Sequence, residues 1–327
     1  MASKYNTWYH PYKADTKYQK RSAYFSMEFG IHQALKIYSG GLGFLAGSHM
    51  ISAKELKQNM IGIGMLWKYG YYDQGRNTDQ TLQTHFIEKH YSFLEDSGIQ
   101  VEVKIHDNPA VKVRAYVLKP EIFGSVPIYL LTTDVPGNDH LSKTITDHLY
   151  DNNTLTRISQ NIVLGIGGAK VVQELGGADI YHLNEGHALP AFYYLRSLGI
   201  TRNQMFFTTH TPEKAGNMER NGQLLNSCGF FGRTLTEEEL NKEVVNDDML
   251  NYTVAALRMA KKANAVSKLH AVVANSMWNS FSGTTKIIPI TNSQNQGFWQ
   301  DSTLARAWKS LNAKAFKRRK LELKSQL

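Results

Sequence analysis

The stretch Tyr38-Ser39-Gly40-Gly41-Leu42-Gly43 sets three glycines within four positions, between an extended segment and a helical pattern over 44–57. Glycine lacks a Cβ and takes φ > 0 freely, so such a turn lets backbone N–H groups converge on an anion at the start of a helix. A phosphate fits that geometry, and so does a plain strand-to-helix connection.

The segments around this turn set the fold class. Residues 22–29 read as a buried strand ending in a carboxylate, Glu28, followed by Gly30. Glu28 has two readings, a carboxylate facing a ligand crevice or a helix-capping or ion-pairing group. A second buried strand over 60–67 runs into the aromatic turn Lys68-Tyr69-Gly70-Tyr71-Tyr72-Asp73-Gln74, and 100–107, 111–118 and 127–134 alternate apolar with polar residues. That alternation belongs to half-exposed antiparallel strands and predicts a β-rich extension. A long helical pattern over 154–175 is interrupted by Gly165, Gly167 and Gly168. Each glycine inside a helix costs about 1 kcal/mol against alanine, so these mark close packing or approach to a ligand loop. Strands at 180–184, 205–209 and 287–291 then alternate with helices at 188–198, 251–263 and 268–281. Strands separated by helices form parallel βαβ units, which predicts an α/β fold with a Rossmann-like doubly wound sheet. An amphipathic helical stretch over 302–327, with Leu304, Trp308, Leu311 and Phe316 near helical spacing, closes the chain and places a boundary between 1–300 and 301–327.

Composition excludes several function classes. With 327 residues, 42% of them hydrophobic, the chain buries a sizeable core. It has no run of roughly 18 apolar residues and no apolar segment after Met1, so a cytoplasmic home without membrane spans is expected. The single cysteine, Cys228, rules out an intrachain disulfide and a Cys-based zinc site. The net charge of +9 is concentrated in Lys309, Lys314, Lys317, Arg318, Arg319, Lys320 and Lys324. It is a property of the tail, a solvated helix face and not a nucleic-acid surface.

Two motifs follow apolar strands where the crevice of an α/β sheet opens: His182-Leu183-Asn184-Glu185-Gly186-His187 and Thr208-Thr209-His210-Thr211-Pro212. Their hydrogen-bonding groups suit a polyhydroxylated ligand. His182, Glu185 and His187 lie on a strand-to-helix turn and lack the i, i+4 spacing of a helical metal site, so no metal is expected. Taken singly, His187 also reads as a packing residue at a helix start and His210 as a satisfied strand-end histidine.

Taken together, Ser26-Met27-Glu28-Phe29, the glycine turn, Leu164-Gly165-Ile166-Gly167-Gly168, Asn184-Glu185-Gly186-His187, Thr208 to Pro212 and Val266-Ser267-Lys268-Leu269-His270 form an ordered set. The set resembles the N-terminal half of the α-glucan (glycogen, starch, maltodextrin) phosphorylases, most closely the short bacterial and archaeal type, from about Arg21 to Trp299. The resemblance implies the N-terminal Rossmann-like domain of a GT-B glycosyltransferase. Inorganic phosphate there attacks a terminal α-1,4-glucosyl unit with retention, releasing glucose 1-phosphate, and pyridoxal phosphate acts through its phosphate group as a proton shuttle. Carried over by position, Gly40 and Gly41 present N–H groups on the phosphate side, including that of the cofactor, and Leu42 lies against the glucosyl ring. His210 contacts the sugar and lends its carbonyl to the cationic transition state, with Gly41 its catalytic companion. Glu28, Asn184, Glu185 and His187 line the substrate crevice.

The sequence departs from the family at Gly47-Ser48-His49, where Gly-Asp-His is usual, at Gln160-Asn161 for Gln-Glu, at Asn264-Ala265-Val266 for Asn-Gly-Val, and at Thr291-Asn292-Ser293-Gln294 for Thr-Asn-Gly-Val. The family's second domain, expected after Leu327, carries the pyridoxal lysine, so this polypeptide by itself is expected to be inactive and to need that domain in the same gene or a separate chain. An orphaned half also exposes an apolar face, a route to self-association. Competing readings are a non-catalytic glucan-binding or regulatory domain, and half of a nucleotide-sugar glucan synthase. The latter usually has a lysine at the glycine turn, where Ile37-Tyr38-Ser39 stands here.

Overall fold

The computed structural model describes residues 3–245 and 248–326. Their core is a nine-stranded sheet: β1 Ser22–Phe25, β2 Met60–Met65, β3 Glu95–Ile105, β4 Asn108–Leu118, β5 Ile128–Thr132, β6 Ile180–Asn184, β7 Met205–Thr209, β8 Lys262–Ala265 and β9 Ile287–Pro289. The order across the sheet is β9-β8-β7-β6-β1-β2-β5-β4-β3. Every pairing from β9 to β5 is parallel, and β4 runs antiparallel to both β5 and β3. The expected α/β sheet with a β-rich extension is therefore present, the extension being the long β3–β4 hairpin at one edge.

Burial follows the sequence pattern in β2 and β3 but not in β5. Strand β2 is buried at every position, as an uninterrupted apolar run requires when a parallel sheet is covered on both faces. The half-exposed antiparallel strand expected over 127–134 is instead buried throughout as β5, because it lies inside the sheet, parallel to β2 on one side and antiparallel to β4 on the other. In β3 buried and exposed residues alternate, with Val101, Val103 and Ile105 inward. The chain lays down β2 to β5 to one side of β1 and then β6 to β9 to the other, so β1 and β6 flank the point where strand order reverses. In open α/β sheets the ligand crevice lies beyond the strand C-termini at such a point.

Helix α1, Gly41–Glu55, rises from the glycine turn with no side-chain cap at Gly40. Its buried residues include Gly43, Ala46 and Gly47, small enough for the helix backbone to touch the loop after β1, where the Gly30 amide donates to the Gly43 carbonyl at 2.7 Å. The long helical pattern resolves into α2, Thr154–Ile162, a π-helical segment Val163–Gly167 and α3, Gly168–Glu174. Its glycines serve packing: a Cβ on Gly165 would lie 2.8 Å from the Ala191 amide nitrogen, and one on Gly168 2.6 Å from Ile63 Cγ2. Three further helices are α4 Pro190–Ser197, α5 Tyr252–Met259 and α6 Lys268–Trp278. The helix expected over 251–263 thus stops at Met259, because Lys262–Ala265 is drawn into the sheet between β7 and β9. Leu269, Val272, Ile288 and Ile290 on and around α6 and β9 are exposed.

The described residues divide into two compact units, one ending at Asn292 and the other beginning at Ser293, so the boundary expected at 300/301 falls inside the second. The continuous helix expected over 302–327 is two helices, Ser302–Lys309 and Ala313–Ser325. Leu311 between them takes φ +53°, a left-handed conformation that ends the first helix, and the Asn312 side chain caps the second. Within this unit the Arg319 guanidinium reaches Asp301 at 2.8 Å and Trp308 packs near Phe316.

The contact between α1 and the loop after β1 yields a paired prediction. A Cβ on Gly47 would overlap the Gly30 carbonyl group, whereas one on Gly41 meets nothing within 4 Å. Gly47→Ala gains about 1 kcal/mol of helix propensity but overpacks backbone against backbone at about 3 kcal/mol, for a net loss of about 2 kcal/mol. Gly41→Ala should be neutral or slightly stabilising, and urea unfolding of the two variants against the parent compares them.

Candidate active-site crevice

The site forms where β1, β6 and β7 end. Glu28, just beyond β1, is only 2% exposed, and a carboxylate so buried needs donors around it. Its Oε2 accepts from the Ser39 amide at 2.6 Å and the Gly40 amide at 3.1 Å, and its Oε1 accepts from the Tyr150 hydroxyl at 2.6 Å. The glycine turn therefore closes around an anion belonging to the protein itself. Gly43 must be glycine for the same reason, since a Cβ there would lie 2.6 Å from Glu28 Oε2.

The placement bears on two sequence expectations. The Gly40 amide, expected to face an external or cofactor phosphate, is engaged by Glu28, while the Gly41 amide in the first turn of α1 has no chain partner among the described residues. Of the two readings of Glu28, the capping role matches these contacts. Leu42 follows in the same turn, half-buried.

A second network joins the loop after β1 to the ends of β6 and β7. The Ser26 hydroxyl donates to the Glu28 carbonyl at 2.8 Å and accepts from Asn184 Nδ2 at 3.1 Å. With the Asn184 amide so oriented, its Oδ1 accepts from His210 Nε2 at 2.6 Å. His210 is then the Nε2–H tautomer, and Nδ1 keeps a lone pair with no donor among the described residues. Glu185 fixes the other side: its carboxylate takes the His210 amide proton and lies 3.3 Å from the Thr211 hydroxyl. Glu185 holds φ +68°, a strained conformation for a side-chain-bearing residue that persists only where neighbours over-determine it. Its own amide bonded to the Thr208 carbonyl at 2.9 Å, together with its occupied carboxylate, supplies that restraint.

Glu28, Gly40, Asn184, Glu185 and His210 are thus joined by hydrogen bonds. His187 lies beside them, its ring 5.8 Å from that of Tyr150, with Nδ1 buried and unpartnered. Sequence reasoning passed over Tyr150 and Arg157. Tyr150 supplies a further donor to Glu28, and the Arg157 guanidinium lies 4.9 Å above its ring with Nη1 buried and without a hydrogen-bond partner among the described residues. Neither sits in a recognisable motif; the one available signal was that Glu28, once buried, needs partners.

Burial governs the titration of these groups. It holds the Glu185 carboxyl above the ordinary carboxylate range. Burial, aided by the neighbouring Glu28 charge, pushes the Tyr150 hydroxyl up, and burial lowers Arg157. His49 and His210 are lowered to about 4 and His182 and His187 to about 3, in each case chiefly by burial. His182 is neutral in a defined tautomer: the Thr208 hydroxyl donates to Asn264 Oδ1 at 2.8 Å and so accepts from His182 Nε2 at 2.7 Å. The Tyr24 ring meets His49 and His182 edge-on on either side, at 4.8 and 5.0 Å. Among the described residues no three His, Cys, Asp or Glu side chains could share a metal ion, and no helix is long and apolar enough to cross a membrane.

No family model matches the chain. It is 47% identical over 311 residues to an uncharacterized protein of Methanocaldococcus jannaschii, covering 94% of this chain and 59% of that protein. It is 36% identical over 286 residues to the maltodextrin phosphorylase of Thermococcus litoralis, covering 80% of this chain and 34% of that protein. With the glycogen phosphorylase of Aquifex aeolicus it shares 30% identity over 329 residues, 90% of this chain and 46% of that one. The chain thus spans between a third and three fifths of the length of these relatives.

A parallel sheet with its polar cluster at the strand-order reversal, in a chain with these relatives, defines a Rossmann-like lobe of the GT-B glycosyltransferase class. Within that class the chain belongs to the α-glucan phosphorylase family, aligning with part of the full-length members.

The four depressed histidines fix a pH dependence. Each is neutral in the folded chain down to about pH 4 or 3, whereas in the unfolded chain it protonates below about 6.5. Proton uptake therefore favours the unfolded state, and stability should fall as pH drops from about 6.5 towards 4. Glu185 and Asp147, both raised by burial, work in the opposite direction over the acidic part of this window, while His10 and His270, also lowered by burial, add to the four. Urea midpoints at pH 7, 6, 5 and 4 should decline steadily, and a flat profile would show that the imidazoles are charged in the fold.

Proposed function

We propose that this chain is the N-terminal, glucan-binding portion of a retaining α-1,4-glucan phosphorylase, in which inorganic phosphate displaces a terminal glucosyl unit to give glucose 1-phosphate. The observation that carries the reading is the convergence of the Glu28-braced glycine turn with the His210–Asn184 pair at the switch point of the sheet.

The glucosyl unit lies against Leu42 at the start of α1. His210, neutral at pH 7, accepts a sugar hydroxyl through Nδ1, and its carbonyl faces the positive charge that develops at the anomeric carbon. Asn184 and Glu185 orient that imidazole and its backbone, and His187 lines the approach. The Gly41 amide serves the attacking phosphate, since fixed backbone donors stabilise anionic charge with little reorganisation. Glu28 acts behind the turn, holding the Ser39 and Gly40 amides in place. The carboxylates of Glu28 and Glu185 are both engaged by chain donors. Neither is free to act as the nucleophile of a two-carboxylate glycosidase, which favours phosphate as the attacking group.

Pyridoxal phosphate, which the family resemblance implies, would supply proton transfer through its phosphate group. Of the two amides nominated for that phosphate, Gly40 is bonded to Glu28 and Gly41 has no chain partner among the described residues, and the lysine that would hold the cofactor is expected outside this chain. The work assigned to this chain is binding and orientation. Engagement of Gly40 also favours a second reading, a crevice that binds glucan without phosphorolysis. Release of glucose 1-phosphate on adding a pyridoxal-bearing lobe from a relative would decide for the first.

Calorimetric titration with maltoheptaose should show binding to the full chain. His210→Ala should weaken it about tenfold, the loss of one hydrogen bond in a desolvated site. Incubated by itself with maltoheptaose, phosphate and pyridoxal phosphate, the chain should release no glucose 1-phosphate, and borohydride should leave no pyridoxyl-lysine. Absence of any maltoheptaose binding would overturn the assignment.

A further inference from the structure

A cavity of about 270 Å³ opens between β3, α3, α4 and the loop that follows Cys228, walled by Glu102, Lys104, Lys170, Tyr194, Gly232 and Arg233. None of these residues belongs to the strand-end network around Glu28 and His210, and the reaction proposed above uses none of them. The volume lies just under the roughly 300–1,000 Å³ range of drug-sized ligand clefts, so the occupant is small. We propose that this cavity binds a phosphate monoester of a small polyol.

The charges of the wall point to an anion. Three of its side chains are cations and one, Glu102, is a carboxylate. The Lys170 ammonium donates to the Glu102 backbone carbonyl at 2.7 Å and stands 5.7 Å from the centre of the Tyr194 ring. Both of those partners are neutral. An ammonium has three N–H donors, so Lys170 keeps two for a ligand. Lys104 makes no side-chain hydrogen bond or ion pair among the described residues, and its whole ammonium is available. Arg233 differs, because its guanidinium is forked onto Glu239 at 2.6 and 2.9 Å and its charge is already met. Two ammoniums thus remain without a carboxylate partner, and a phosphate monoester brings roughly −1.5 to −2 charge at pH 7 with several strong acceptor oxygens.

The rest of the wall selects what carries the phosphate. Glu102 repels a bare anion, yet its carboxylate has no chain donor among the described residues and accepts hydroxyl groups. Tyr194, half-buried, offers an apolar ring face to a C–H surface. A hydroxylated carbon skeleton satisfies both, and an acidic or purely apolar one does not.

The wall is set before any ligand arrives. Gly229 at φ +87° and Gly232 at φ +74° bend the loop, and the Gly232 amide donates to the Gly229 carbonyl at 3.0 Å. A Cβ on Gly229 would lie 2.9 Å from the Lys104 carbonyl oxygen, so only glycine lets the loop seat against β3. Pre-formed walls lose little freedom on binding, which raises affinity.

The test is calorimetric titration of the full chain with glycerol 3-phosphate. Lys104→Met keeps the aliphatic stem and should weaken binding about tenfold, the loss of one charge-assisted hydrogen bond, with the melting temperature unchanged. Lys170→Met should weaken it at least as much. If that variant melts early, Lys170→Arg, which keeps the charge, should retain most of the affinity while Lys170→Gln loses it. His210→Ala should leave glycerol 3-phosphate binding unchanged, since the crevice takes no part. Inorganic phosphate should bind more weakly than glycerol 3-phosphate, and equal affinity for the two would overturn the monoester assignment. No binding by the unmodified chain, or binding insensitive to both lysine positions, overturns the site. Maltoheptaose binding, which tests the proposed function, does not depend on either outcome.

Discussion

The structure depends on a buried carboxylate being surrounded by donors. Glu28 sits at the sheet's switch point, where a lone charge would be several kcal/mol unfavourable. The Ser39 and Gly40 amides and the Tyr150 hydroxyl offset that penalty. The same contacts fix the turn that starts α1, draw the segment around Tyr150 over the strand ends, and require a glycine at 43. Sheet, helix and crevice are positioned by one anion.

A second constraint is dryness. His49, His182, His187 and His210 stay uncharged because the strand ends are too poorly solvated to support imidazolium. Neutral imidazoles have direction, one nitrogen donating and the other accepting. The His182–Thr208–Asn264 and His210–Asn184–Ser26 relays are accordingly each oriented one way. A sugar, with alternating donors and acceptors on every hydroxyl, is a natural counterpart for such a surface.

Much of this was legible in the sequence because its signals were local. The runs that became β1, β2, β6 and β7 are apolar and bounded by polar turns, and a buried parallel strand looks like that in any chain. Asn184, Glu185, His187 and His210 could be found because they follow such runs directly. Strand β8 could not: Lys262-Ala263-Asn264-Ala265 is short and rich in helix-favouring alanine, and only pairing with Phe206–Thr209 and Ile287–Pro289 makes it a strand. The break at Leu311 is equally silent, since a leucine in the left-handed region answers to packing. The glycine turn was read for an external phosphate, whereas the anion that its Ser39 and Gly40 amides meet stands twelve residues before Gly40, and Tyr150 comes from more than a hundred residues away.

The wide turn at Val163–Gly167 sets how this chain tolerates a change in length. One surplus residue in that single coil rotates everything after it by roughly 100° relative to an uninterrupted α-helix. Gly165 therefore nests against the backbone around Ala188–Ala191 while Gly168, three positions on, nests against Phe25 and Ile63. Deleting one residue there would restore ideal winding and still misalign both seats. The irregular coil preserves the phase between the two halves of the sheet.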